Sequence, residues 1–74
     1  MVRIFREVAV SVQGSGNIVV INTLSGSGPA AGEAIDNFGI EEIIGSLAGD
    51  NTVFVVTEEH MRDTVIEKLR TIMR

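Results

Sequence analysis

Two tight turns, each joining a pair of segments rich in β-branched and apolar residues, constrain the fold of this chain most strongly. The turns are residues 14–17 (Gly-Ser-Gly-Asn) and residues 49–51 (Gly-Asp-Asn). Gly and Asn tolerate positive φ, and β-branched residues favour strands, so each turn predicts an antiparallel hairpin. The four predicted strands are residues 4–12, 18–24, 43–48 and 52–56.

A helical pattern follows each predicted hairpin. The first helix begins near Pro29, which suits a first helical turn, and ends before Gly39, a natural C′ residue. The second is predicted to begin with Thr57 as its cap, with Glu58 and Glu59 in its first turn. The apolar residues at helical spacing are Ala31, Ala34, Ile35 and Phe38 in the first helix, and Met61, Val65, Leu69 and Ile72 in the second.

The order of these elements predicts the fold class. Strand–turn–strand–helix occurs twice, so we expect an α+β domain of order ββαββα. Short hairpin connections make the sheet antiparallel, with four strands and both helices on one face. The opposite face, which also carries apolar residues, is then left for another subunit to cover.

Length and composition support an assembled domain. The 74 residues suffice for one domain, and they include eight Gly, three Phe and no other aromatic residue. The absence of Cys excludes disulfides and thiolate metal sites. A domain this small with a lean core is marginal alone, so we expect a homo-oligomer.

Net charge argues against nucleic acid as a partner of this chain, and hydropathy argues against a membrane. The net charge of -4 argues against electrostatic binding of nucleic acid, so we expect no specific DNA affinity of this chain alone. The longest apolar runs, residues 18–21 and 53–56, are too short for a membrane span, and no signal peptide is evident. These features predict a cytoplasmic domain.

The glycine-rich segment before the first helix and the single histidine are two candidates for chemistry. Gly26-x-Gly28-x-x-x-Gly32 follows a strand and opens a helix, but the hairpin before it argues against a dinucleotide-dependent enzyme. An ordinary helix-entry loop explains these glycines without any function, and their backbone amides can also hold a ligand carboxylate. His60 is the only histidine and is interpreted as an exposed helix residue rather than a metal ligand or base. No nucleophilic triad is visible, so no catalytic residue, metal or cofactor is predicted.

The turn that contains Asp50 is the most suggestive stretch. Asp and Asn are common in ordinary hairpin turns, which explains their presence without any function. A carboxylate at such a turn can also accept a bidentate hydrogen bond from a guanidinium group. Both interpretations stay open on the residues alone.

Several stretches resemble the C-terminal domain of bacterial arginine repressors. They are residues 15–24, Gly26, residues 35–37 and residues 43–52, and the most specific is Gly-Ser-Leu-Ala-Gly-Asp. The resemblance covers nearly the whole chain in order. It implies a four-stranded antiparallel sheet with two helices, trimers that pair into hexamers, and L-arginine bound between trimers as corepressor. It also implies a winged-helix DNA-binding domain preceding residue 1, so that DNA is contacted only through that domain.

The resemblance further implies a ligand site. Asp50 would bind the cationic end of the ligand across the interface with help from Asn51, and the helix start at Ser27 and Gly28 would hold the carboxylate. The expected ligand-binding residues are Ser27, Gly28, Pro29, Asp36, Ala48, Gly49, Asp50, Asn51 and Thr52.

Two residues depart from the family pattern. The family usually has a second aspartate where this chain has Asn51, and a glutamine where it has Pro29. Replacing a charged acceptor by an amide weakens a hydrogen bond from about 1.5–3 kcal/mol to about 1 kcal/mol. We therefore expect an effector-binding domain of a regulator of arginine metabolism with arginine affinity lowered roughly ten- to a hundred-fold, or a related amino acid as ligand. The alternative is a structural oligomerisation module whose ligand site has decayed.

Overall fold

The computed structural model describes residues 1–74 and contains four strands and three α-helices. Helix α1 precedes strand β1, and a short 3-10 turn (Glu59–Met61) precedes the last helix. The elements are α1 (Val2–Val8), β1 (Ala9–Ser15), β2 (Ile18–Thr23), α2 (Gly28–Asn37), β3 (Ile43–Ala48), β4 (Thr52–Thr57) and α3 (Arg62–Met73).

The four strands form one antiparallel sheet in the order β1-β2-β4-β3. Strands β2 and β4 are therefore central, and β1 and β3 are the edges. The predicted α+β class and the ββαββα order are confirmed, with α1 added in front. The predicted bounds of β3 are also those observed.

One face of the sheet packs against the helices and forms the core. Val19 and Ile21 of β2 and Val53 and Val55 of β4 are all fully buried on this face. Leu69 of α3 and Ile35 of α2 join the same buried cluster, as helical spacing predicted. The alternation along β2 and β4 turns the intervening residues to the opposite face, because successive side chains of a strand point to opposite sides.

That opposite face, here called the outer sheet face, has no helix over it. Phe54 pairs with Val20 on β2 and with Leu47 on β3, which brings three apolar side chains side by side. Leu47 is 76% exposed and Phe54 49% exposed. The apolar residues of the outer sheet face are Ile18, Val20, Leu47, Phe54 and Val56.

The prediction of a strand over residues 4–12 is wrong for its first half. Residues 2–8 form helix α1, and β1 begins only at Ala9. Phe5, Val8 and Ala9 have helical spacing and pack into or against the core, where Phe5 meets Phe38 edge to face with ring centroids 5.4 Å apart. Burial of the Phe5 ring on the helical side of the sheet thus outweighs the alternation that suggested a strand.

The predicted first turn and the predicted cap of the last helix are also wrong in part. Strand β1 continues through Ser15, so only Gly16 and Asn17 form the first turn, with Gly16 at φ +58°. Thr57 is not the cap of the last helix, because it ends β4 and its buried hydroxyl donates to the Glu58 carbonyl. Glu58 precedes the 3-10 turn and Glu59 opens it, so neither lies in the first turn of α3.

His60 lies exposed in the 3-10 turn, and no group of three or more His, Cys, Asp or Glu side chains is arranged to hold a metal ion. None of the three helices has the length and hydropathy that crossing a bilayer requires.

An ion pair joins α3 to the loop before β3 and lowers the pKa of one carboxyl group. Lys68 Nζ lies 2.8 Å from Glu42 Oε1, and this hydrogen bond lowers the pKa of Glu42 below its ordinary value of 4.5. A carboxyl with a depressed folded pKa stabilises the fold above its unfolded pKa, and this contribution is lost as pH falls through the folded value.

We therefore expect Lys68→Met to lower the thermal midpoint at neutral pH but not at pH values below the folded pKa of Glu42. Melting curves of both proteins from pH 7 downward measure this. The difference between the two midpoints should begin to shrink near pH 4.5 and then disappear. A difference that stays constant with pH would contradict the assignment.

Candidate functional site

The β3–β4 turn lies against the loop between β2 and α2. The Gly49 amide donates to the Thr52 carbonyl at 2.7 Å, which closes the hairpin. The Thr23 amide donates to the Asn51 carbonyl at 2.8 Å, so the turn is bonded to the end of β2. Two strands and one loop therefore hold the backbone that carries Asp50.

The start of α2 packs directly on this turn. The Gly28 amide donates to the Asp50 carbonyl at 2.8 Å, and the Gly26 amide donates to Asp50 Oδ2 at 3.2 Å. A Cβ atom at Gly28 would overlap the Gly49 carbonyl oxygen. Gly28 is therefore required for the close approach that fixes the turn relative to the helix.

These contacts bear on the expected position of a ligand carboxylate. The amides of Gly26 and Gly28 donate to Asp50, and the Ser27 amide donates to the Leu24 carbonyl at 3.0 Å. Pro29 has no amide hydrogen. The backbone donors proposed for the ligand carboxylate at this helix start are already used within the chain.

An open groove of about 360 Å³ runs between α2 and β3. Ser46 Oγ donates to Asp36 Oδ1 across it at 2.9 Å. Gly32 keeps the helix close to the strand, since a Cβ atom there would lie only 3.2 Å from the Cβ atom of Ala48. The groove is lined by Pro29, Gly32, Glu33, Asp36, Ser46, Leu47 and Ala48.

The groove and the turn carry uncompensated negative charge. Glu33 and Asp36 line the groove, and Asp50 stands on the adjoining turn. None of these three carboxylates belongs to any of the four ion pairs of the chain. A cation brought here meets carboxylates that no internal positive charge neutralises.

Asn51 contributes no charge beside Asp50. Its side-chain oxygen Oδ1 accepts a hydrogen bond from the Thr52 hydroxyl at 3.1 Å. The carbamoyl oxygen is therefore engaged within the turn, and the amide nitrogen, a donor, does not suit a cationic ligand group. Asp50 is the one anionic side chain of this turn.

A smaller apolar hollow of about 240 Å³ lies on the other side of the same strand. It is lined by Leu47, Ala48, Gly49, Thr52 and Phe54. Leu47 and Ala48 border both concavities, so the end of the β3–β4 hairpin separates the acidic groove from the outer sheet face.

The residues expected at the ligand site from the sequence fall into two neighbouring groups. Pro29, Asp36 and Ala48 line the groove. The other six lie at the turn, at the start of β4 that follows it, or where the β2–α2 loop leads into α2: Ser27, Gly28, Gly49, Asp50, Asn51 and Thr52.

Four of the seven groove residues were not among the residues expected at the ligand site: Gly32, Glu33, Ser46 and Leu47. Glu33 follows Pro29 by four residues and precedes Asp36 by three, so helical spacing alone places all three on one face of α2. Ser46 had no comparable signal, because only the packing of β3 beneath α2 brings its hydroxyl to Asp36.

The fold and the groove define a class of molecule: a small ββαββα domain in which an acidic groove lies between a helix and an edge strand. The family model for the arginine repressor C-terminal domain matches residues 5–71. The chain belongs to this family.

Curated relatives agree with that assignment. The arginine repressor of Thermoanaerobacter sp. (strain X514) is 45% identical over 75 residues, covering 100% of this chain and 50% of that protein. The arginine repressor of Clostridium novyi (strain NT) is 40% identical over 74 residues, covering 99% of this chain and 49% of that protein. The arginine repressor of Clostridium kluyveri (strain NBRC 12016) is 51% identical over 59 residues, covering 80% of this chain and 39% of that protein. The chain spans about half the length of the first two relatives.

Proposed function

We propose that this chain is a single effector-binding and oligomerisation domain of a transcription regulator of arginine metabolism, and that its ligand is L-arginine or a related cationic amino acid. The observation that carries the proposal is an acidic groove, lined by Glu33 and Asp36 and adjoining the turn of Asp50, in a member of this family. No catalytic group, metal or cofactor enters this function.

The two aspartates suit different parts of such a ligand. Asp36 lies inside the groove, where its carboxylate suits the α-ammonium group. Asp50 stands on an exposed turn with only Oδ2 engaged, by the Gly26 amide. Its other oxygen suits a guanidinium group, which binds carboxylates through a rigid fork of donors. We propose that this guanidinium comes from a ligand held in the groove of a facing subunit.

The exposure of the proposed site in a single chain supports assembly of several subunits around the ligand. Asp36, Ala48 and Asp50 are all exposed in the single chain, so one subunit leaves the ligand largely in water. We propose that the outer sheet face builds a trimer and that two trimers meet at the Asp50 turns. The buried ligand cation would then relieve repulsion among the converging carboxylates and link binding to hexamer formation.

DNA contact in the whole protein is proposed to come from outside this domain. The net charge of -4 disfavours a phosphate backbone, and the curated relatives are about twice as long as this chain. A regulator of bacterial transcription works where the chromosome is, so we propose a cytoplasmic location.

Calorimetry with L-arginine and L-citrulline tests the proposed ligand. Citrulline has the shape of arginine with a neutral urea group, so we expect measurable heat for arginine and much weaker binding of citrulline. Lysine and ornithine test whether another cationic amino acid is preferred. An assembled protein that binds none of these amino acids would favour the structural module with a decayed site instead.

Asn51→Asp is expected to tighten L-arginine binding. A charged acceptor replaces a neutral one, which corresponds to a gain of about 3- to 30-fold in affinity. The added carboxylate also increases repulsion at the proposed trimer contact, so hexamer formation should depend more strongly on arginine. Titration calorimetry and light scattering with and without arginine measure the two effects. Unchanged affinity would point to Pro29 as the departure that matters.

A further inference from the structure

The Ser46 hydroxyl makes the one side-chain hydrogen bond that the structure shows for Asp36. We propose that Ser46 is a positioning residue of the effector site, which orients the Asp36 carboxylate toward the ligand. This inference rests on the proposed function and adds to it a residue outside the expected ligand set.

The geometry favours orientation by Ser46. Asp36 lies exposed near the end of α2 and has no ion-pair partner, so nothing else restrains its carboxylate. Ser46 is half-buried on β3, where it pairs with Val55 of the central strand β4. The Ser46 hydroxyl on β3 thus donates to the Asp36 carboxylate on α2, across the groove that both residues line.

The hydrogen bond leaves Asp36 able to bind a cation. A carboxylate has about four acceptor positions on its two oxygens, and Ser46 uses only one of them, at Oδ1. Asp50 is held in the same way, since the Gly26 amide engages Oδ2 alone. Orienting such groups before the ligand arrives reduces the entropy that binding must overcome.

Three substitutions separate orientation from packing. Ser46→Ala removes the donor, Ser46→Thr keeps a hydroxyl on a residue that suits a strand, and Ser46→Val matches the shape of threonine without a donor. We expect the Ala and Val variants to bind L-arginine about 3- to 10-fold more weakly and the Thr variant to stay within about 2-fold of the unmodified protein. Melting curves should show the Val variant as stable as the Thr variant.

A double variant tests whether Ser46 affects arginine binding through Asp36. In an Asp36→Ala background, Ser46→Ala is expected to change arginine affinity by less than about 2-fold, because the acceptor that it positions is gone. Equal additional losses in both backgrounds would overturn the proposal.

The remaining outcomes distinguish this inference from the proposed function. If the unmodified protein binds arginine and Asp36→Ala weakens binding, while Ser46→Ala and Ser46→Val bind normally, the inference alone fails. A Thr variant as weak as the Ala variant also overturns it. If the unmodified protein binds neither arginine nor any other cationic amino acid, the proposed function fails and the inference falls with it.

Discussion

Replacing Phe54 with aspartate is expected to convert an assembled protein into folded monomers. Phe54 lies between Val20 and Leu47 on the outer sheet face, which no element of the chain covers. A carboxylate at the centre of an apolar interface loses its hydration without gaining a partner, and that cost is several kcal/mol (about 3–5) when a charge is left uncompensated. The association constant between two subunits that meet through this face should therefore fall by at least about a hundred-fold.

Light scattering at tens of micromolar measures this effect. Because Phe54 is half exposed in the single chain, the variant should keep its fold and its circular dichroism spectrum. Thr64→Asp, an exposed change on α3 at the helical side of the sheet, is the matched control and should leave the mass of the assembly unchanged. An unaltered mass for the Phe54 variant would show that subunits meet through another surface.

Asp50→Ala is expected to abolish L-arginine binding and to leave the trimer intact. Removing the charged partner of a desolvated ion pair costs about 2–5 kcal/mol, which lowers affinity at least about 30-fold. The backbone bonds of the turn, from Gly28 to the Asp50 carbonyl and from Thr23 to the Asn51 carbonyl, do not involve the side chain. Only the hydrogen bond from Gly26 to Oδ2 is lost.

Titration calorimetry and light scattering on the same sample measure both parts of this prediction. Glu58→Ala is the control, because it removes an exposed carboxylate just beyond the end of β4 that lies opposite the turn. This variant should bind arginine normally. Unchanged arginine affinity in the Asp50 variant would contradict the proposed site. Loss of the trimer would show that the turn contributes to more than the contact between trimers.

The three strands from residue 18 onward were predictable because local chemistry and tertiary packing agree there. The nearly continuous β-branched and apolar runs of β2 and β4 favour strands, and Gly49 with Asn51 marks the hairpin between β3 and β4. The family, and with it the expected role of the Asp50 turn, was also accessible, since the Gly-Ser-Leu-Ala-Gly-Asp stretch lies in one continuous segment.

Helix α1 was not predictable from its own residues. Residues 4–12 have apolar side chains at every second position except Arg6, which satisfies a strand, and Phe5 with Val8 satisfies a helix equally well. The ambiguity is resolved by the contact of Phe5 with Phe38, which lies 33 positions further along the chain. The same holds for Thr57, whose burial at the end of β4 removes it from the helix that local chemistry suggested.

The sequence by itself determined the order of the strands along the chain, the turns between them, the two amphipathic helices and the identity of the acidic turn. Periodicity and turn chemistry act over a few residues, so they can be read without knowing the fold. The tertiary structure alone decided that the amides of Gly26 and Gly28 are used by Asp50 and that Ser46 meets Asp36. These contacts join residues 10–24 positions apart, and they depend on how α2 lies on β3, which no local pattern encodes.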